Sequence, residues 1–163
     1  QDPSRQNTFK LSFETPADVD AVVLIRSVRE RLSAAEVRAN VVWSLDVGGD
    51  GLLDVLPASA TKRLAIEFVM AECGYGPDEV VFAGASGNDL DVLVSPIPSV
   101  LVANARAEVR DVALGQARAA GHEAALHCAR GGVLGLNGNF AAGILEGVLH
   151  YHPEWSGLLE ASL

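Results

Sequence analysis

Cysteine, aromatic residues and positive charge are all scarce in this chain of 163 residues, and each shortage excludes something. The two cysteines, Cys73 and Cys128, lie far apart and outside any Cys-x-x-Cys unit. Neither a disulfide framework nor a zinc site follows from them, and they read as reduced, semi-buried thiols of a cytoplasmic protein. Lys and Arg total 12 against 21 Asp and Glu, a formal net charge of −9. Nucleic acid is therefore excluded as the main partner, because phosphate backbones are held by basic surfaces. No apolar run approaches the roughly 20 residues that cross a bilayer, so no membrane is expected either. No charged-then-apolar leader opens the chain. Residues 1–7 form a polar lead-in without an initiating methionine, as expected of a processed or excised piece.

What the chain does have is aliphatic bulk, with 49% hydrophobic residues against 6% aromatic. Its length suits one ordinary domain, or one and a half small ones. Thr8–Glu14 alternates with Phe9, Leu11 and Phe13 on one side, the period of a half-buried strand. Thr15 and Pro16 then look like a helix cap and first turn, with Val19, Val22, Val23, Val28 and Leu32 as the apolar stripe. Val37–Leu45 and Leu52–Leu56 read as strands joined by the turn at Gly48-Gly49-Asp50-Gly51. This first portion is of α+β type.

Beyond Pro57 the rhythm changes. Thr61–Cys73 predicts a helix with Leu64, Ala65, Phe68 and Val69 inward. Val80–Ala83 is a short, wholly apolar strand of the sort buried on both faces, and Ser99–Ala103 is the next buried strand. Helices are expected over Asn88–Val94, from near Arg106, and over Phe140–Tyr151, with a last short strand within Glu123–Cys128. Gly131–Asn139 is glycine-rich and expected to be mobile. Alternating short strands and helices imply an α/β fold with a parallel sheet.

The run Val80-Val81-Phe82-Ala83-Gly84-Ala85-Ser86-Gly87-Asn88-Asp89 carries the chemistry. An apolar strand enters a tight polar loop, the usual place of a site at the carboxyl end of a parallel sheet. With Asp54-Val55-Leu56-Pro57, Lys62, Ser99–Ala105 and Ala141–Val148 in this order, the chain resembles sucrose-phosphate phosphatases and their relatives. These are haloacid-dehalogenase hydrolases with an α/β cap inserted in the core, and the resemblance runs from about Thr8 to Trp155. It implies a partial Rossmann-like parallel sheet of a haloacid-dehalogenase core with part of an α+β cap. Residues 8–57 would belong to the cap, 58–155 to the C-terminal half of the core, and 1–7 and 156–163 to flexible ends.

In this family the loop reads Gly-Asp-Ser-Gly-Asn-Asp, and its acids hold the catalytic magnesium. Here the first acid is Ala85, which leaves Asp89 and Asn88 as the metal-side residues and implies weak or absent magnesium binding. The resemblance makes Lys62 the cation that contacts the transferring phosphoryl group, followed by Arg63 where a small residue is usual. Asn104 would help hold the loop around lysine and phosphate, and Ser86 would shape the phosphate turn. The plain alternatives are an exposed lysine for Lys62 and helix caps for Asn88, Asp89 and Asn104.

The family's nucleophile is an Asp-x-Asp at the end of an N-terminal buried strand. Asp18-Val19-Asp20 follows Pro16 and opens an amphipathic helix, so it reads as a solvated first turn. Asp89-Leu90-Asp91 falls inside a helix. The nucleophile segment is thus missing from these residues. Ser44, Asp46 and the Gly48–Gly51 hairpin lie where a cap would face a sugar, although a plain turn explains them. His150-Tyr151-His152 does not make a metal pair, because i and i+2 do not face each other on a helix.

Two functions remain in view. One is a magnesium-dependent phosphatase portion acting on a sugar phosphate such as sucrose 6-phosphate, inactive as this chain alone. The other is a non-catalytic sugar-phosphate-binding or scaffolding module of a larger sucrose-synthesis protein. A sheet lacking its central strand is expected to pair with another chain, as a homo-oligomer or with a complementing N-terminal segment.

Overall fold

In the computed structural model, residues 3, 6, 8–45 and 48–160 are described, and the chain divides into two compact units, Gln1–Leu64 and Ala65–Leu163. Asp46, most of residues 1–7, and 161–163 lie outside the described residues.

The first unit is a three-stranded antiparallel sheet in the order β1 (Leu11–Thr15), β3 (Gly51–Pro57), β2 (Ala39–Leu45), with helix α1 (Ala21–Ala34) against β2. The register pairs Phe13 with Leu53 and Leu53 with Trp43, but the apolar face expected of β1 is the open one: Phe9, Leu11 and Phe13 are 74%, 53% and 46% exposed. Ser12, on the opposite face, is fully buried and its hydroxyl bonds Asp54, which Lys10 also approaches at 3.4 Å. The Gln6 side-chain amide pairs with the Ser12 backbone, donating to its carbonyl at 2.7 Å and accepting from its N–H at 2.8 Å.

The cap of α1 is Asp20, not Thr15. The Asp20 Oδ1 accepts from Val22 and Val23 N–H at 3.0 Å each, while the Thr15 hydroxyl accepts from the Trp43 indole at 3.0 Å. Starting the helix at Ala21 places Leu24, Ile25, Val28 and Leu32 within one arc. All four are half-buried, whereas Val22 and Val23 remain 66% and 58% exposed. Asp20→Ala is expected to cost about 1 kcal/mol, as loss of a helix N-cap does. A lowered denaturant midpoint with unchanged slope would report it.

The second unit holds a parallel sheet in the order β4 (Phe82–Gly84), β5 (Ser99–Leu101), β6 (Leu126–Cys128). Phe82 pairs with Ser99 and Ser99 with Leu126, in register along both ladders. Helices α3 (Leu90–Leu93), α4 (Ala107–Ala120), α5 (Phe140–Tyr151) and α6 (Ser156–Glu160) complete it. Alternate residues of β5 serve opposite faces. Leu101 joins Leu93, Ala113, Ala117 and Leu126 in one core, while Val100 lies under Gly147 of α5. Both faces of β5 are buried, and its one polar residue, Ser99, donates its hydroxyl to the Ile97 carbonyl at 2.7 Å, which is why Ser99–Leu101 carried no alternation. At the amino end of the sheet the hydroxyl of the half-buried Tyr151 accepts from Ser99 N–H (3.3 Å) and donates to the Ala125 carbonyl (2.7 Å).

Helix α2 (Lys62–Cys73) forms where periodicity placed it, with the Thr61 hydroxyl accepting from Leu64 N–H at 3.2 Å. Its expected inward face is open: Leu64, Phe68 and Val69 are 45%, 64% and 51% exposed. Periodicity identifies an apolar stripe but not whether anything covers it. Cys73 is exposed and Cys128 half-buried, and both are free thiols. No helix among the described residues is long and apolar enough to cross a membrane.

Candidate functional site

Three parallel strands end on the same edge, and each hands its chain to a polar loop there. After β4 comes Ala85–Asp89, after β5 Val102–Ala103–Asn104, and after β6 the segment 129–139. Backbone hydrogen bonds stitch these exits together: Val102 N–H to the Gly84 carbonyl (3.1 Å), Ala129 N–H to Leu101 (2.9 Å) and Ala103 N–H to Gly138 (2.8 Å).

The first loop turns on Asp89. Its carboxylate is buried and folds back so that Oδ2 accepts from Ala85 N–H, Ser86 N–H and the Ser86 hydroxyl, each at 2.9 Å. A helix-capping role and a site role for Asp89 are thereby compatible, since one carboxylate fixes the whole turn. The turn requires Gly84, where a Cβ would sit 2.7 Å from the Asp89 Cβ and 2.8 Å from its Cγ. Asn88 is exposed at the tip.

Asn104 is exposed after β5, and its Oδ1 accepts from Phe140 N–H at 2.8 Å. The expected cap for the helix beginning near Arg106 is not formed. Asn104 caps α5, 36 residues on, while α4 starts behind Arg106 without a side-chain cap. Arg110 donates to the Ala103 carbonyl at 3.1 Å. Ser86, Asn88, Asp89 and Asn104 all stand in the second unit, whereas Lys62 is exposed at the first turn of α2, within the first unit. Ser44 is half-buried near the end of β2.

Magnesium takes a near-octahedral shell of hard oxygens, and the residues present do not supply one. The Asp89 Oδ2 already receives three donors, Ala85 has no side-chain oxygen, and no group of three or more His, Cys, Asp or Glu stands together among the described residues.

Glu146 stands beside this edge without a sequence motif of its own to single it out. It is 4% exposed within α5, and its carboxylate accepts from Arg130 N–H at 2.9 Å, Gly131 N–H at 2.7 Å and His127 Nε2 at 3.3 Å. Burial pushes this carboxyl up, but the two amides and the His127 ring outweigh it and hold the group below its ordinary value. The available signal was one acid inside the otherwise apolar helix Phe140–Tyr151. The glycine-rich stretch, expected to be mobile, is instead bonded at both ends: Glu146 holds its start, and Ala103 and Asn104 hold its end. The His127 ring stacks on His150 at 4.2 Å, and His152 stacks on Trp155 at 4.6 Å.

Residues 1–152 match the family model of sucrose-6F-phosphate phosphohydrolase. A protein of Nitrosococcus oceani described as a HAD-like hydrolase is 44% identical over 161 residues, 98% of this chain and 43% of that protein. A mannosylfructose-phosphate phosphatase of Agrobacterium fabrum is 34% identical over 97 residues, 59% of this chain and 37% of that protein. Among solved structures, the sucrose-phosphatase of Synechocystis sp., in complex with sucrose and phosphate, superposes with a TM-score of 0.69 at 22% identity. That likeness covers 93% of this chain and 55% of the sucrose-phosphatase. The chain spans less than half the length of the curated relatives it matches.

Proposed function

The chain belongs to the sucrose-6F-phosphate phosphohydrolase family, and from that premise we propose that it is the later cap and C-terminal core half of a sugar-phosphate phosphatase. Residues 8–57 are the cap portion and 58–155 the core portion. Sucrose 6-phosphate is the substrate class, met once a nucleophile-bearing segment completes the sheet. The observation that carries this reading is the loop Ala85–Asp89, a family-type turn closed by a buried carboxylate at the carboxyl edge of a parallel sheet.

In the completed protein an aspartate outside these residues attacks phosphorus, and the bond from phosphorus to the sugar's oxygen breaks. A second aspartate protonates the departing alcohol, and water then hydrolyses the aspartyl phosphate. Lys62 supplies a point cation to the phosphoryl oxygens, where charge develops. Asn104 and Ser86 shape the phosphate side, and Asn88 and Asp89 the side where the family holds its metal. With Ala85 in place, magnesium binding by this chain is weak or absent, and no step here is derived through the ion.

The test is phosphate release from sucrose 6-phosphate in the presence of magnesium. The 163 residues alone are expected to give no turnover. Carrying Ala85→Asp and mixed with a family segment that bears Asp-x-Asp, they are expected to gain it, and Lys62→Ala then to remove at least about 100-fold, the loss typical of deleting one transition-state donor. Robust turnover by the chain alone would overturn the reading. The closed state of Asp89 and the alanine at position 85 favour a second one, a non-catalytic sugar-phosphate-binding module of a larger protein. Calorimetric binding of sucrose 6-phosphate that does not depend on magnesium, with no turnover in the mixture, would decide for it.

A further inference from the structure

The segment from Ala129 to Asn139 is anchored to buried groups at its start and to the candidate phosphate residue at its end. Arg130 and Gly131 N–H point into the Glu146 carboxylate, 2.9 and 2.7 Å away. A buried carboxylate meeting two consecutive backbone amides and a histidine forms charge-assisted bonds, which are shorter and stronger than neutral ones. At the other end the Gly138 carbonyl accepts from Ala103 N–H at 2.8 Å, and Phe140 N–H donates to the Asn104 Oδ1 at 2.8 Å. The two ends are pressed together at Gly138, where a Cβ would sit 2.6 Å from the Gly131 nitrogen. Displacing Gly131 therefore displaces Gly138, and with it the Ala103–Asn104 backbone.

Two side chains along this path stand in the left-handed region that glycine favours, Leu134 at φ 49° and Phe140 at φ 46°. A bulky residue holds such a conformation only where its surroundings over-determine it. For Phe140 the fixing group is Asn104, so the bond that strains Phe140 also orients the asparagine.

We infer that Glu146 is a positioning residue: through residues 130–140 it sets where the Asn104 side chain stands at the carboxyl edge of the sheet. Its carboxylate plugs the turn from within, and His127 is its second anchor. The part of this inference that concerns phosphate rests on the function proposed above; the mechanical part does not.

Amide hydrogen exchange and calorimetric titration with inorganic phosphate and with sucrose 6-phosphate, on the full chain, test both parts. Glu146→Gln is expected to speed exchange at Arg130 and Gly131 at least tenfold. It is also expected to speed exchange at Phe140, 10 and 9 positions away in sequence, by at least threefold, and to weaken phosphate binding at least fivefold. Should Glu146 variants fail to fold, His127→Phe keeps an aromatic ring beside His150 and removes the 3.3 Å bond. It is expected to raise exchange at Arg130, Gly131 and Phe140 about twofold. Faster exchange at Arg130 and Gly131 with Phe140 unchanged would overturn the inference. So would unaltered phosphate affinity in a variant whose wild type binds phosphate. A wild-type chain that binds neither phosphate probe would sink the proposed function, and the exchange at Phe140 would still decide the tether.

Discussion

Gly147→Ala is expected to remove about 3 kcal/mol of stability, at the upper end of what overpacking a filled core costs. In a domain of this size that lowers the melting temperature by roughly 6–12 °C. The cause is local. A Cβ at this position meets both methyls of Val100 and its Cβ, with Cγ1 at 2.6 Å and Cβ at 2.8 Å, and Val100 is fully buried in the central strand. Neither partner can retreat, because β5 is paired on both sides. Gly115→Ala supplies the contrast. It lies within α4 with nothing within 4 Å of a Cβ, so the same methyl is expected to stabilise by about 0.5–1 kcal/mol. Thermal melts of the two variants beside wild type would check both; equal melting temperatures would refute the packing of α5 on β5.

The second large effect belongs to pH. Glu146 is held below its ordinary value, so the folded state favours the carboxylate more than the unfolded chain does. Its contribution is therefore complete above the unfolded value near 4.5 and disappears as pH falls through the lower, folded one. The groups facing it are His127 and, stacked behind that ring, His150. His150 is also held below its ordinary value, by burial and by the charge of His127. For a histidine this means a penalty that sets in as pH drops below about 6.5, so both groups weaken the fold in acid. Glu146→Gln keeps one acceptor but turns an amide NH2 toward a backbone donor. It is expected to lose about 2–3 kcal/mol at neutral pH, the cost of an unsatisfied buried group. Because glutamine does not titrate, the gap between variant and wild type should narrow below pH 4.5. Denaturant midpoints measured across that range give the answer. A gap that stays constant would mean the carboxylate is not held as described.

Much of this molecule was legible from local pattern. Phe140–Tyr151 was expected as a helix with the bounds it has, because Asn139 and the apolar run after it leave little choice. The strand β4 and the turn at Ala85–Asp89 were placed by an apolar run ending in glycine and polar residues, and β5 and β6 lie within Ser99–Ala103 and Glu123–Cys128, where strands were expected. What escaped was decided by partners distant in sequence. Thr15 looked like a cap until Trp43, 28 positions on, claimed its hydroxyl. Asn104 was weighed as a cap for the helix just ahead, yet its acceptor serves one 36 positions away. Glu146 sat unremarked in an apolar helix because the amides that justify it come from a loop 15 and 16 residues earlier. The open face of α2 is a miss of another kind, since sequence periodicity records an apolar stripe whether or not a neighbour exists.

Gly84 and Asp89 occupy each other's space: the carboxylate folds into the room that a side chain on residue 84 would need. The two positions are therefore one unit of heredity. In a lineage that keeps this turn, residue 84 is confined to glycine, and because the nearest contact is the Asp89 Cβ, replacing the aspartate lifts that restriction only if the turn itself also moves. Across the relatives of this chain, the pair should drift together or stay fixed together.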